Sequence, residues 1–234
     1  DAKSALETAE NNLQLAQEGE DSYLVQDAYA DLVNSLKDGL VDIQTGITEA
    51  DNILGVDNTF ADDDYEDHLG QQNPHALINA KSHYATAKSM KEAIEQYGLA
   101  MSTDTVHDTI DAMTDQMQEV FDEVQTLLFW TQETLSATLP IGDLSQSELD
   151  TLKSDISTAQ ATVNTATTDV TNKEQAIQTA RNTLNSYIIA HDKAVRTLER
   201  TKSQGESSIL NAEALVKLRR ASLTQTQADF DALI

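Results

Sequence analysis

The feature that most constrains this chain is a seven-residue apolar repeat in its second half. Leu149, Ile156, Val163, Val170, Ile177 and Leu184 recur at that spacing, and Leu152, Ala159, Ala166, Ala180, Tyr187 and Ala194 form an interleaved set broken by Lys173. Two apolar positions per heptad fall on one side of an α-helix, so the stretch has to be helical and has to be covered by other helices. Beyond Leu184 the spacing resumes four residues out of phase, through Val195, Leu198, Ile209, Ala212, Val216, Leu223 and Phe230. Such a shift is a stutter. SQGESS at 203–208 is the weakest point of the pattern, a place to bend or break. Unbroken, residues 145–234 would extend ~130 Å at ~1.5 Å per residue.

The first twenty residues carry a matching but narrower stripe, Ala2, Leu6, Ala9, Leu13 and Ala16. Its alanines allow one partner helix to approach closely. The expected partner is the C-terminal end, with Ala2 and Leu6 near Phe230 and Leu233. Both termini would then form the foot of an antiparallel two-helix coiled-coil stem, 1–22 with 203–234. Neither end carries a cap signature, and the closing ASLTQTQADFDALI stops with Leu223, Phe230, Leu233 and Ile234 on one stripe. The expectation is a piece excised from a longer protein, with both terminal helices continuing elsewhere.

Residues 23–54 have a wider apolar face: Leu24, Val25, Ala28, Leu32, Leu36, Leu40, Ile43, Ile47, Ile53 and Leu54. That width suits a bundle and not a two-helix seam. Gly39 and Gly46, seven apart in this helix, either admit a closely packed neighbour or weaken it locally. An acidic loop, 56–73, follows. Pro74 fits the first turn of the next helix, with Asn73 as N-cap and a stop at Gly98. Another helix begins at Ser102, Thr103 or Asp104 and ends near Leu139. Asp143 or Ser145 starts the long last helix. The short connections at 98–103 and 140–143 make these neighbours antiparallel. The fold expected is all-α: an elongated antiparallel bundle of about four long helices, the head at 23–202, on the two-helix stem.

Composition agrees: two prolines and eight glycines leave long helices undisturbed, and there are few aromatics. A net charge of −25 repels nucleic acid backbones and anionic lipid, which sets both aside as partners. Basic residues concentrate late, in Lys193, Arg196, Arg200, Lys202, Lys217, Arg219 and Arg220. There is no cysteine, hence no disulfide or thiolate metal site. No apolar run is long enough for a membrane span or a signal peptide.

Few residues invite chemistry. Asp57, Asp62, Asp63, Asp64, Glu66 and Asp67 cluster in the loop, and Asp57, Asp62, Asp64 and Glu66 are its calcium-ligand candidates. The EF-hand order of ligands and glycine is not met, so a solvated loop is the reading preferred. His68, His75, His83, His107 and His191 are scattered; His75 and His83 are eight apart, a poor metal-ligand spacing. No catalytic triad order, phosphate loop or paired Glu-x-x-His set occurs, so neither an enzyme nor a cofactor is expected. In Leu127–Trp130 four consecutive large apolar residues exceed one helix face. Phe129 and Trp130 either fill the core from two sides or meet a partner.

Two stretches, AKSALETAENNLQLAQEGED near the start and ILNAEALVKLRRASLTQTQADFDALI at the end, resemble the helix bases of the α-hairpin in membrane fusion proteins. These are the periplasmic adaptor subunits of bacterial efflux and secretion systems. In that family the descending helix ends in a run like A-x-L-x-x-A-x-x-D-L, matched here by Ala221, Leu223, Ala228, Asp229, Phe230 and Leu233. The hairpin interrupts a lipoyl-like β-domain. The middle departs from the family by about 120 extra helical residues, and the family's Arg-containing tip pattern is absent. The resemblance implies a non-enzymatic, extracytoplasmic spacer and protein-interaction arm. It would be anchored at the membrane through the parent protein, with no membrane insertion of its own. Its partners would be an inner-membrane transporter and other adaptor copies. The alternative is an extracytoplasmic four-helix sensory bundle of the chemoreceptor kind.

Overall fold

The structure, a computed structural model, describes residues 2–60, 62 and 65–232. Among them are five α-helices and no strand: α1 (Ala2–Glu18), α2 (Tyr23–Leu54), α3 (Pro74–Ala100), α4 (His107–Ser136) and α5 (Gln146–Asp231). Short 3-10 turns lie at Gly19–Asp21 and Glu66–His68. The chain divides into two compact units, one of Tyr23–Ala180 and one of the residues before and after it.

The Tyr23–Ala180 unit is a four-helix bundle. Its core takes Leu32, Leu36 and Ile43 from α2, Met117, Phe121 and Leu128 from α4, and Ile156, Val163 and Val170 from α5, all buried. The side of α3 turned inward is mostly small: Ala76, Ala80, Ala87 and Gly98 are buried beside Tyr84 and Ile94. Small residues bring backbones together, and the glycines of α2 do the same. A methyl group on Gly39 would lie 2.8 Å from Cζ of Phe121, and one on Gly46 3.1 Å from Val163 and 3.2 Å from Val124. Close packing is therefore their role. Thr114, Thr131, Thr134 and Thr138 are buried on or just beyond α4 because each hydroxyl donates to the carbonyl four residues back, at 2.7–2.9 Å.

Helix ends differ in detail from the sequence reading. Pro74 opens α3 as expected, but Asn73 makes no side-chain cap bond. The α4 helix starts at His107, after a turn over 102–105 in which the Ser102 amide donates to Thr105 Oγ1 at 2.9 Å, and it ends at Ser136. A capping box starts α5: the Glu148 amide donates to Ser145 Oγ at 3.2 Å and the Ser145 amide to Glu148 Oε2 at 2.7 Å. From there α5 runs for 86 residues, straight through 203–208 with no break. Lys173, the interruption in the heptad stripe, reaches sideways to Asp31 of α2 at 2.7 Å.

In the other unit α1 lies antiparallel on α5, but not where expected. Glu20, just beyond α1, takes a two-pronged hydrogen bond from Arg181 at 2.8 and 2.9 Å. At the other end, Ala2, Ala5 and Ala9 share one shallow groove with Ala190, Ala194 and Thr197. The pairing of Ala2 and Leu6 with Phe230 is thus corrected: α1 covers 181–197, and Phe230 is exposed. Leu233 and Ile234 lie outside the described residues. The reason is arithmetic. Both helices rise ~1.5 Å per residue, so 17 residues starting opposite Arg181 are used up near Thr197. The stem therefore occupies 2–22 with 181–197, and the expected segment, 203–232, runs on uncovered.

Two measurements check this architecture. In this cysteine-free chain, Ala9→Cys with Ala194→Cys should form an internal disulfide on oxidation, and Ala9→Cys with Leu223→Cys should not; the reverse outcome would restore the terminal foot. Phe121→Ala, which empties the centre of the bundle, should cost about 3–5 kcal/mol in urea unfolding. Exposed Leu210→Ala should stay within about 0.5 kcal/mol.

Candidate functional site

The acidic loop is held by its own protein. After α2, Gly55 turns with φ 58° and its amide returns to the Asp51 carbonyl at 2.8 Å. A side chain there would run into the Asp62 carboxylate, so only glycine fits. The Asp51 carboxylate accepts the amides of Val56, Asp57 and Asn58 at 2.8–3.1 Å. Asp57 Oδ2 accepts from the Tyr84 hydroxyl at 2.8 Å and from Lys88 Nζ, both on α3. The Lys88 bond, then that of Tyr84, holds the Asp57 carboxyl below its ordinary value of 3.8. Burial, and then the Asp57 bond, push the Tyr84 hydroxyl far above its usual range.

Of the calcium candidates, Asp57 is thus turned to α3, Asp62 is buried against Gly55, and Glu66 begins a 3-10 turn. Asp64, like Asp63, lies outside the described residues. No three His, Asp or Glu side chains among the described residues converge as a metal-ligand set.

The histidines serve separate contacts. His83 Nδ1 meets Glu123 Oε1 at 2.7 Å, joining α3 to α4. His107 stacks on Tyr29 with ring centres 3.7 Å apart, and the Tyr29 hydroxyl donates to Asp111 at 2.9 Å. His68 bonds Gln71 at 3.1 Å, and His191 lies 3.6 Å from Asp192. His75 is exposed. Sequence spacing gave no hint of the Tyr29–His107–Asp111 contact, because its members are about 80 residues apart.

Leu127 and Leu128 enter the core; Phe129 is 50% exposed and Trp130 half-buried, meeting edge-to-face at 5.3 Å. The sequence reading missed one apolar feature, an open groove of about 820 Å³ between α3 and α4. Met90, Ile94 and Tyr97 line one side, and Met113, Gln116 and Val120 the other. Ala93 and Ala100 of α3 and Ala112 of α4 also line it, small residues between the larger ones.

A second exposed apolar feature is on α5. Every described residue from 201 to 232 is exposed. Ile209, Val216, Leu223 and Phe230, at 60%, 52%, 68% and 57% exposure, keep the seven-residue spacing, and no helix among the described residues covers them. No helix among the described residues is long and apolar enough to cross a membrane. No protein-family model matches the chain, and no curated protein sequence matches it significantly.

The loop contact has a defined pH dependence. A carboxyl with a lowered pKa supplies stability that is complete above its unfolded value and lost as pH falls through the folded one. Docking of the loop on α3 should therefore persist at neutral pH and fail only below 3.8. Lys88→Met should move the Asp57 titration up toward 3.8, read by NMR of its carboxyl carbon.

Proposed function

We propose that this chain is the helical arm of a membrane fusion protein, the adaptor subunit of an efflux or secretion transporter. Its role is that of a non-enzymatic spacer and protein-interaction surface outside the cytoplasm. The observation that carries the reading is the two-helix stem. α1, whose sequence resembles one hairpin base, runs antiparallel on 181–197 of α5 through apolar stripes, as the two helices of such a hairpin would; the second base-like sequence, from Ile209, lies beyond that pairing. The mechanism is mechanical. Helices locked by knobs-into-holes packing transmit position without bending, and the bundle offers surface to other proteins. Phe129 with Trp130, and the α3–α4 groove, are the apolar surfaces it offers. The partners are an inner-membrane transporter and further adaptor copies.

The reading frame on either side of these 234 codons is the test. Halves of a lipoyl-like β-domain on both sides support the adaptor. A transmembrane helix on each side supports the sensory bundle instead.

A further inference from the structure

We propose that the groove between α3 and α4 takes an amphipathic helix of another protein, one with basic residues along one side of its apolar stripe. This goes beyond the adaptor reading, because it names the chemistry of a partner and stands on the groove alone. Both walls are whole helices with both ends among the described residues, so the shape of the groove does not depend on where the sequence begins or ends. Met90 to Ala100 on one wall and Thr109 to Val120 on the other each extend roughly 15 Å at ~1.5 Å per residue. A trough of three helical turns, open along its length, suits an elongated occupant; a compact ligand would stay largely in water there. Its floor is Ile94, Met101, Met113 and Val120, all buried. Three of the chain's four methionines line it, and their flexible thioether side chains adapt to a partner's surface. Tyr97 stands at the rim, 75% exposed, a large and rigid anchor of the kind that carries binding energy.

Charge selects the sign of the partner. No lysine or arginine among the described residues lines the groove. On α4, Asp108, Asp115 and Glu119 lie at i, i+7 and i+11, in a row on the side of Ala112, and all three are exposed. None of the three pairs with a cation among the described residues. On α3 the outer rim is Ser89, Ala93, Gln96 and Ala100, exposed and uncharged. The lysines of that part of α3 are taken: Lys88 holds Asp57, and Lys91 pairs with Glu95 at 2.7 Å. One rim is thus a row of unpaired carboxylates and the other is neutral. A helix laid along the groove buries its apolar stripe on the methionines and sets its lysines or arginines on the α4 side alone. An acidic helix would meet like charge there, and the −25 of the whole chain as well.

The probe is a synthetic helical peptide of about 15 residues, long enough at ~1.5 Å per residue to fill the groove. Its leucines form one stripe, its lysines one flank, and the rest is glutamine; a second peptide has glutamate for every lysine. The full chain with isotope-labelled methionine methyl groups gives four signals by NMR. In a titration to ~1 mM, a range that detects weak complexes, the lysine peptide should move Met90, Met101 and Met113 saturably, and Met117, enclosed in the core, least. The glutamate peptide should move none. Tyr97→Ser, at an exposed position that leaves helicity unchanged by circular dichroism, should weaken binding ~10-fold. Asp115→Lys with Glu119→Lys should weaken the lysine peptide ~10-fold and let the glutamate peptide bind. No saturable shift, equal binding of the two peptides, or indifference to either variant would overturn the proposal. So would tetraphenylphosphonium moving the three methionines where the lysine peptide does not, since the groove would then be a small-molecule site. These readouts are separate from the flanking reading frame, so either test can fail while the other succeeds.

Discussion

Everything in this molecule is arranged around the apolar stripe of α5. A helix with two apolar positions per heptad is stabilised by covering that side, and each part of the stripe meets a different fate. From Leu149 to Ile177 it is buried in the four-helix bundle; around Leu184 to Leu198 it belongs to the stretch paired with α1; beyond that it is bare.

Polar chemistry in the bundle serves position. The Asp51 carboxylate gathers three loop amides, Asp57 fastens the loop to Tyr84 and Lys88, and Lys173 ties α5 to Asp31. Each uses an acidic side chain as a hydrogen-bond acceptor, so part of the chain's large negative charge goes into holding loops and helices together. The acidic loop illustrates the difference between composition and geometry. Its carboxylates are close in sequence, but the turn at Gly55 and the pull of α3 send Asp57 and Asp62 in different directions.

Much of the fold was legible in the residues. The range 23–54 was read directly as α2, Pro74 as the opening of α3 and Ser145 as a start signal for α5, because apolar periodicity and capping are local properties. The start of α4 was less legible, since the polar residues 102–105 can cap a helix or close a turn, and here they close a turn before His107. SQGESS looked breakable because glycine and serine are poor helix formers, yet one glycine costs only about 1 kcal/mol in a long cooperative helix. Leu127–Trp130 were evidently too apolar for one face, but which two would enter the core depended on the direction of α4.

The sequence by itself determined that the chain is helical, which faces of its helices are apolar, and that α1 and α5 can pair antiparallel. Tertiary structure decided the alignment. A heptad stripe repeats, so α1 satisfies its own pattern equally well at several positions along α5, including the terminal one. The Glu20–Arg181 contact, joining residues 161 positions apart, marks where that pairing begins. With its start fixed there, α1 lies on 181–197, a register that the repeating stripe could not choose by itself.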